Sequence, residues 1–72
     1  ANERKIQMRV TKINGSKIVR CWTHSEFNCW TIHQTEDNKF WLDTDPESND
    51  NLCSEISESE AKKCSVGEPV EQ

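Results

Sequence analysis

The sequence predicts a small all-β domain stapled by disulfides. Two antiparallel hairpins form a sheet or small sandwich, and a short helix or turn lies near the C-terminus. Two observations carry this expectation. Four cysteines, Cys21, Cys29, Cys53 and Cys64, fall within 72 residues, and a chain that short buries only about 60% of its unfolded surface, so its core is thin without cross-links. Apolar and polar residues also alternate over 6–22 and 29–43, with turn-forming residues interrupting each run. The length allows one core. The β-rich domain is expected over residues 1–64, with a flexible tail over 65–72.

The first hairpin turns at Asn14-Gly15, two residues that tolerate the positive φ of a type I′ turn. With Ile13 opposite Ser16, Val10 faces Val19, Met8 faces Cys21 and Ile6 faces Thr23. That side is expected to be the core face, because side chains alternate along a strand. The other side collects Gln7, Arg9, Thr11 and Ile13 with Ile18, Arg20 and Trp22. The second hairpin turns in Thr35-Glu36-Asp37-Asn38, residues that bond their own backbone. Trp30, Ile32, Phe40 and Leu42 make its core side, while Cys29 and Trp41 point away and need cover from the C-terminal third.

After Asp45-Pro46 the composition changes, and residues 44–51 read as a loop. Residues 54–64 hold a helical turn or two. Ser57 and Glu60 form a capping box, and Lys62 and Lys63 suit a helix C-terminus. Residues 65–72, SVGEPVEQ, read as frayed or disordered.

The net charge of −4 conceals an asymmetry. Residues 1–20 carry six basic side chains against Glu3, a balance of +5, while residues 21–72 carry three lysines against twelve carboxylates, a balance of −9. The two halves can neutralise each other within one fold, or the basic head can meet an anionic partner. No apolar run reaches the roughly 20 residues of a bilayer-crossing helix. The polar opening Ala1-Asn2-Glu3-Arg4-Lys5 reads as the start of a mature secreted product.

An even cysteine count in a small polar chain points to two disulfides and an oxidising compartment: secreted or extracellular, or periplasmic in a bacterium. Four cysteines allow three pairings, and bonds from the tail to the sheet close the longer loops. The competing reading is a zinc site. Cys21, His24, Cys29 and His33 run as C-x2-H-x4-C-x3-H, and zinc accepts two sulfurs and two imidazoles. Such a knuckle-like loop would make the basic head a nucleic-acid contact. The ligand order is not that of a knuckle, and Cys53 and Cys64 stay unused.

No phosphate-binding loop, nucleophile elbow or paired metal carboxylates are present, and the neighbours His24, Ser25 and Glu26 do not make a triad by adjacency. An enzyme is not expected, nor a metal or other cofactor. Arg9, Arg20 and Trp22 share one face, a composition common in protein-interface hot spots, and Trp41 is a further binding candidate. Arg9 beside Arg20 suits an acidic partner or the acidic C-terminal third of this chain. Asn14-Gly15-Ser16 is also a glycosylation sequon at a turn. The expected function is therefore a small secreted module, of the inhibitor, toxin, effector or receptor-ectodomain type, that binds a protein outside the cell or in a host. A zinc-dependent nucleic-acid binder and a carbohydrate-binding module with an exposed tryptophan are the alternatives.

Overall fold

The computed structural model describes residues 11–27, 29–44 and 53–71. Six antiparallel strands and one helix follow each other as β1 (Lys12–Ile13), β2 (Ser16–His24), β3 (Thr31–Thr35), β4 (Phe40–Asp43), β5 (Cys53–Ile56), α1 (Glu58–Cys64) and β6 (Ser65–Glu71). They form one sheet in the order β1-β2-β3-β4-β5, with β6 also paired to β2. No described helix is long and apolar enough to cross a membrane.

Both hairpins form where the turn chemistry places them. Asn14 (φ 52) and Gly15 (φ 84) take the two positive-φ positions, and Ile13 pairs with Ser16. In the second hairpin the Asn38 amide donates to the Thr35 carbonyl at 2.9 Å, and Asn38 itself sits at φ 68. This is a type I turn followed by a left-handed residue, a geometry asparagine tolerates. The pairs Thr31–Asp43 through Gln34–Phe40 then follow.

Register divides the side chains between two faces. Cys21, His33 and Trp41 align across β2, β3 and β4, with Asp43 opposite Cys53 on the same side. The opposite face carries Trp22, Ile32 and Leu42 in one row and Arg20, Gln34, Phe40 and Ile56 in the next. The core follows this division. Ile13, Ile18, Cys21 and Trp41 cluster on the first face with Cys53 against them. Ile32, Phe40 and Ala61 cluster on the second, flanked by Trp22, Leu42, Ile56 and Cys64.

Helix α1 covers the second face and buries Ala61 alone. Ser57 caps it by accepting from the Glu60 amide at 3.1 Å, as the capping-box pattern requires. Its last turn carries Lys62 and Lys63.

The structure departs from the sequence expectation in three places. Ile13 and Ile18 are buried at 1% and 2% exposure rather than lying on a polar face. A register shift between Ile18 and Arg20 interrupts the alternation, so Ile18 pairs with Thr35 and joins the side of Cys21. Residues 65–71, expected as a flexible tail, form β6 against β2, from Arg20–Glu71 to His24–Ser65. Gly67 at φ 79 and Pro69 fall where the β2–β6 register shifts, so neither breaks the regular ladder. Residues 54–56, the start of the 54–64 segment expected to hold a helical turn or two, instead form β5 with Cys53. The predicted pairings of Ile6, Met8 and Val10, the position of Arg9, and all but Thr44 of the 44–51 loop lie outside the described residues.

Candidate functional site

Four neighbouring strands each place one donor side chain on the first face: Cys21 on β2, His33 on β3, Asp43 on β4 and Cys53 on β5. Two direct cross-strand pairs, Cys21–His33 and Asp43–Cys53, build this row. Cys21 Sγ lies 3.0 Å from His33 Nδ1, and His33 Nε2 lies 3.2 Å from Asp43 Oδ2. The donor atoms of His33, Asp43 and Cys53 all lie within 4.8 Å of one another. His33 and Asp43 are buried at 0% and 1% exposure and Cys21 at 5%, while Cys53 is half-buried.

Burial acts on the protonation of Cys21 and His33. It pushes the Cys21 thiol up to about 12, with the Asp43 charge adding to the rise, so Cys21 is a neutral thiol at ordinary pH. Burial also pulls His33 below the usual histidine value, against the opposing hydrogen bond and charge of Asp43. A neutral imidazole satisfies both neighbours when Cys21 S–H donates to Nδ1 and Nε2–H donates to Asp43. Among the described residues no buried side-chain nitrogen or oxygen lacks a partner. The order thiol, imidazole, carboxylate matches that of a nucleophile, a base and an orienting group. Yet Cys21 and His33 are too buried in the described structure for a substrate carbonyl to reach the sulfur.

The residues selected from sequence are distributed differently. Trp41 is buried at 8% exposure, with Nε1–H donating to Thr35 Oγ1 at 3.1 Å, so it offers no binding platform. Arg20 meets this chain's own acidic end: its Nε donates to Glu71 Oε2 at 3.0 Å and its Nη1 to Gln34 Oε1 at 3.0 Å. Trp22 is half-buried against Phe40, with ring centroids 6.2 Å apart, on the face that α1 covers. Asn14 is exposed at its turn. No disulfide joins the described cysteines, and no pair stands at disulfide distance. The four residues of the competing zinc reading do not converge. Register places Cys21 and His33 on the first face and His24 on the second, and Cys29 is exposed before β3.

An aromatic cluster that the sequence reading did not select closes the far end of β2. The Phe27 ring packs on Trp30 at 4.3 Å, and His24 meets Trp30 edge-on at 5.1 Å. His24 Nδ1 accepts from the amides of Glu26 and Phe27, which fixes the loop. Phe27 nevertheless remains 46% exposed. Beside it runs a groove of about 410 Å³ lined among others by Trp30, Leu42, Ile56 and Cys64. The sequence signal was available, since Phe27 and Trp30 are three residues apart in a polar loop.

Fold and site together define a small antiparallel β domain with one short helix, a polar donor row on one face and an aromatic cluster beside the other. Comparison with protein-family models, curated proteins and solved structures finds no match to this chain.

Proposed function

We propose that this chain is an extracellular protein-binding module and that the Phe27–Trp30 cluster is its contact surface. The observation that carries the reading is the half-exposed Phe27 ring, held against Trp30 and His24 and lining a groove of mixed polarity. A large aromatic side chain left in water, but fixed in place by its neighbours, is the kind of anchor that dominates protein interfaces. Its occupant is an apolar side chain of a protein partner, because Phe27, Trp30, Leu42 and Ile56 line the groove, with Glu26, Glu60 and Lys63 among its polar lining. Of the two acidic neighbours expected for Arg20, an outside partner or this chain's C-terminal third, Glu71 belongs to the second.

The two disulfides expected from the cysteine count remain part of this proposal, with their pairing open. The carbohydrate reading loses its Trp41 platform.

A photo-crosslinking residue placed at Ser25, which is exposed beside Phe27, identifies the partner in extracellular fluid of the source or its host. Affinity for that partner is then compared between wild type and Phe27→Ala. The expected result is a loss of about 2 kcal/mol or more in binding with an unchanged Tm. Equal affinity for both, or saturable quenching of tryptophan fluorescence by glycans without a protein partner, overturns the reading.

A further inference from the structure

The row on the first face has a use beyond partner binding. Three of its members, His33, Asp43 and Cys53, bring one nitrogen, one oxygen and one sulfur donor within 4.8 Å of one another. Burying such groups in a thin core costs desolvation energy that apolar residues in their place would avoid. The geometry points to a metal site: His33 Nε2, the Asp43 carboxylate and Cys53 Sγ bind a zinc ion, and Cys21 positions the imidazole from behind.

Chemistry selects the metal class. A mixed set of imidazole, carboxylate and thiolate suits a borderline cation such as zinc rather than calcium or magnesium, which take oxygen ligands. Zinc–ligand lengths of about 2.0–2.3 Å set neighbouring donors roughly 3.3–3.7 Å apart in a tetrahedron. The 3.2 Å between Nε2 and Oδ2 is already near that spacing, and Cys53 Sγ lies within 4.8 Å of both side chains' donors. Cys53 lies on β5, the edge of the β2–β5 path, and is half-buried, so it is the most solvent-accessible of the three ligands.

The proton balance closes. The proton on Nε2 gives way to the metal while His33 takes one on Nδ1, so the imidazole stays neutral and Nδ1–H points at Cys21 Sγ. Metal-bound histidines generally hold their second nitrogen through such a partner. Cys53 releases its thiol proton to solvent as it binds. One dication with one carboxylate, one thiolate and a neutral imidazole is then electrically neutral. Three protein ligands leave a fourth position for water or an external ligand. A disulfide between Cys21 and Cys53 is the rival use of these sulfurs, but β3 and β4, carrying His33 and Asp43, lie between them.

The test uses the full chain, reduced, stripped of metal by a chelator and titrated with cobalt(II) alone. The expected result is one ion per chain, with a thiolate-to-cobalt charge-transfer band that zinc abolishes by displacement. Cys53→Ser should remove that band and weaken binding at least 100-fold. Cys21→Ser should keep the band and weaken binding about 10–100-fold, the usual cost of a lost outer partner. Cys29→Ser and His24→Ala should change neither, which separates this site from the set Cys21, His24, Cys29 and His33. Failure of the reduced chain to bind cobalt or zinc below millimolar concentration overturns the proposal. So does a Cys53→Ser protein that binds like wild type, or an intact mass that places Cys53 in a disulfide in the native protein. None of these outcomes bears on the Phe27 surface.

Discussion

At the residue scale, small changes at special positions have the clearest consequences. Gly15 sits at φ 84, and a Cβ added there would meet nothing within 4 Å. The cost of Gly15→Val is therefore backbone strain rather than a clash, about 1–3 kcal/mol, read as a lower midpoint in urea. Thr35 carries a second test. Its hydroxyl donates to Asp37 and accepts from the buried Trp41 Nε1–H. Thr35→Val should cost about 1–3 kcal/mol, because Trp41 loses its partner in the core. The Thr35 hydroxyl is also the main reason the Asp37 carboxyl is held below its ordinary value. A depressed carboxyl stabilises the fold above its unfolded pKa, and that contribution is lost as pH falls through the folded pKa. In Thr35→Val, NMR titration should find the Asp37 pKa back near the ordinary carboxylate range; an unchanged value would show that the hydroxyl does not set it.

At the scale of elements, the start of helix α1 and the pairing of β6 with β2 each offer a contact that can be tested singly. Helix α1 spans only Glu58–Cys64 and buries one residue, so its cap carries unusual weight. Ser57→Ala removes the acceptor of the Glu60 amide and should cost about 1 kcal/mol in thermal denaturation. The Arg20–Glu71 pair ties β6 to β2, but its side chains are 40% and 66% exposed. A double-mutant cycle with Arg20→Ala and Glu71→Ala should therefore give a coupling of about 0.2–1 kcal/mol that shrinks in high salt. A coupling that salt does not reduce would mean the pair is not a surface ion pair. The capping box was legible in sequence because it depends on residues three apart. The strand status of 65–71 was not, because Gly67 and Pro69 read as breakers until a register shift accommodates them.

At the scale of the molecule, β2 holds the fold together. It pairs with β1, β3 and β6, so the chain's two described ends meet on one strand. Deleting residues 65–72 should expose that edge of β2 and lower the Tm by several degrees or abolish cooperative unfolding. A truncated chain that melts like the full one would show that 65–71 is the dispensable tail the composition suggests. The sheet also explains why the candidate sites were hard to see beforehand. Trp41 and Arg20 carry the residue types of an interface, but one is buried and the other is engaged by Glu71.

What the sequence determined by itself is local. Asn14-Gly15, Asn38 and the Ser57–Glu60 pair fix two turns and a helix start because each acts through backbone dihedrals or neighbours a few residues away. The register of both hairpins follows from those turns. What only the tertiary structure decided is which face is covered and by what. The interruption after Ile18 moves its side chain into the core, β6 returns to β2 across about fifty residues of chain, and the register of four strands aligns Cys21, His33, Asp43 and Cys53. Those outcomes depend on energies shared between segments distant in sequence, since a side chain is buried only when another element arrives to cover it.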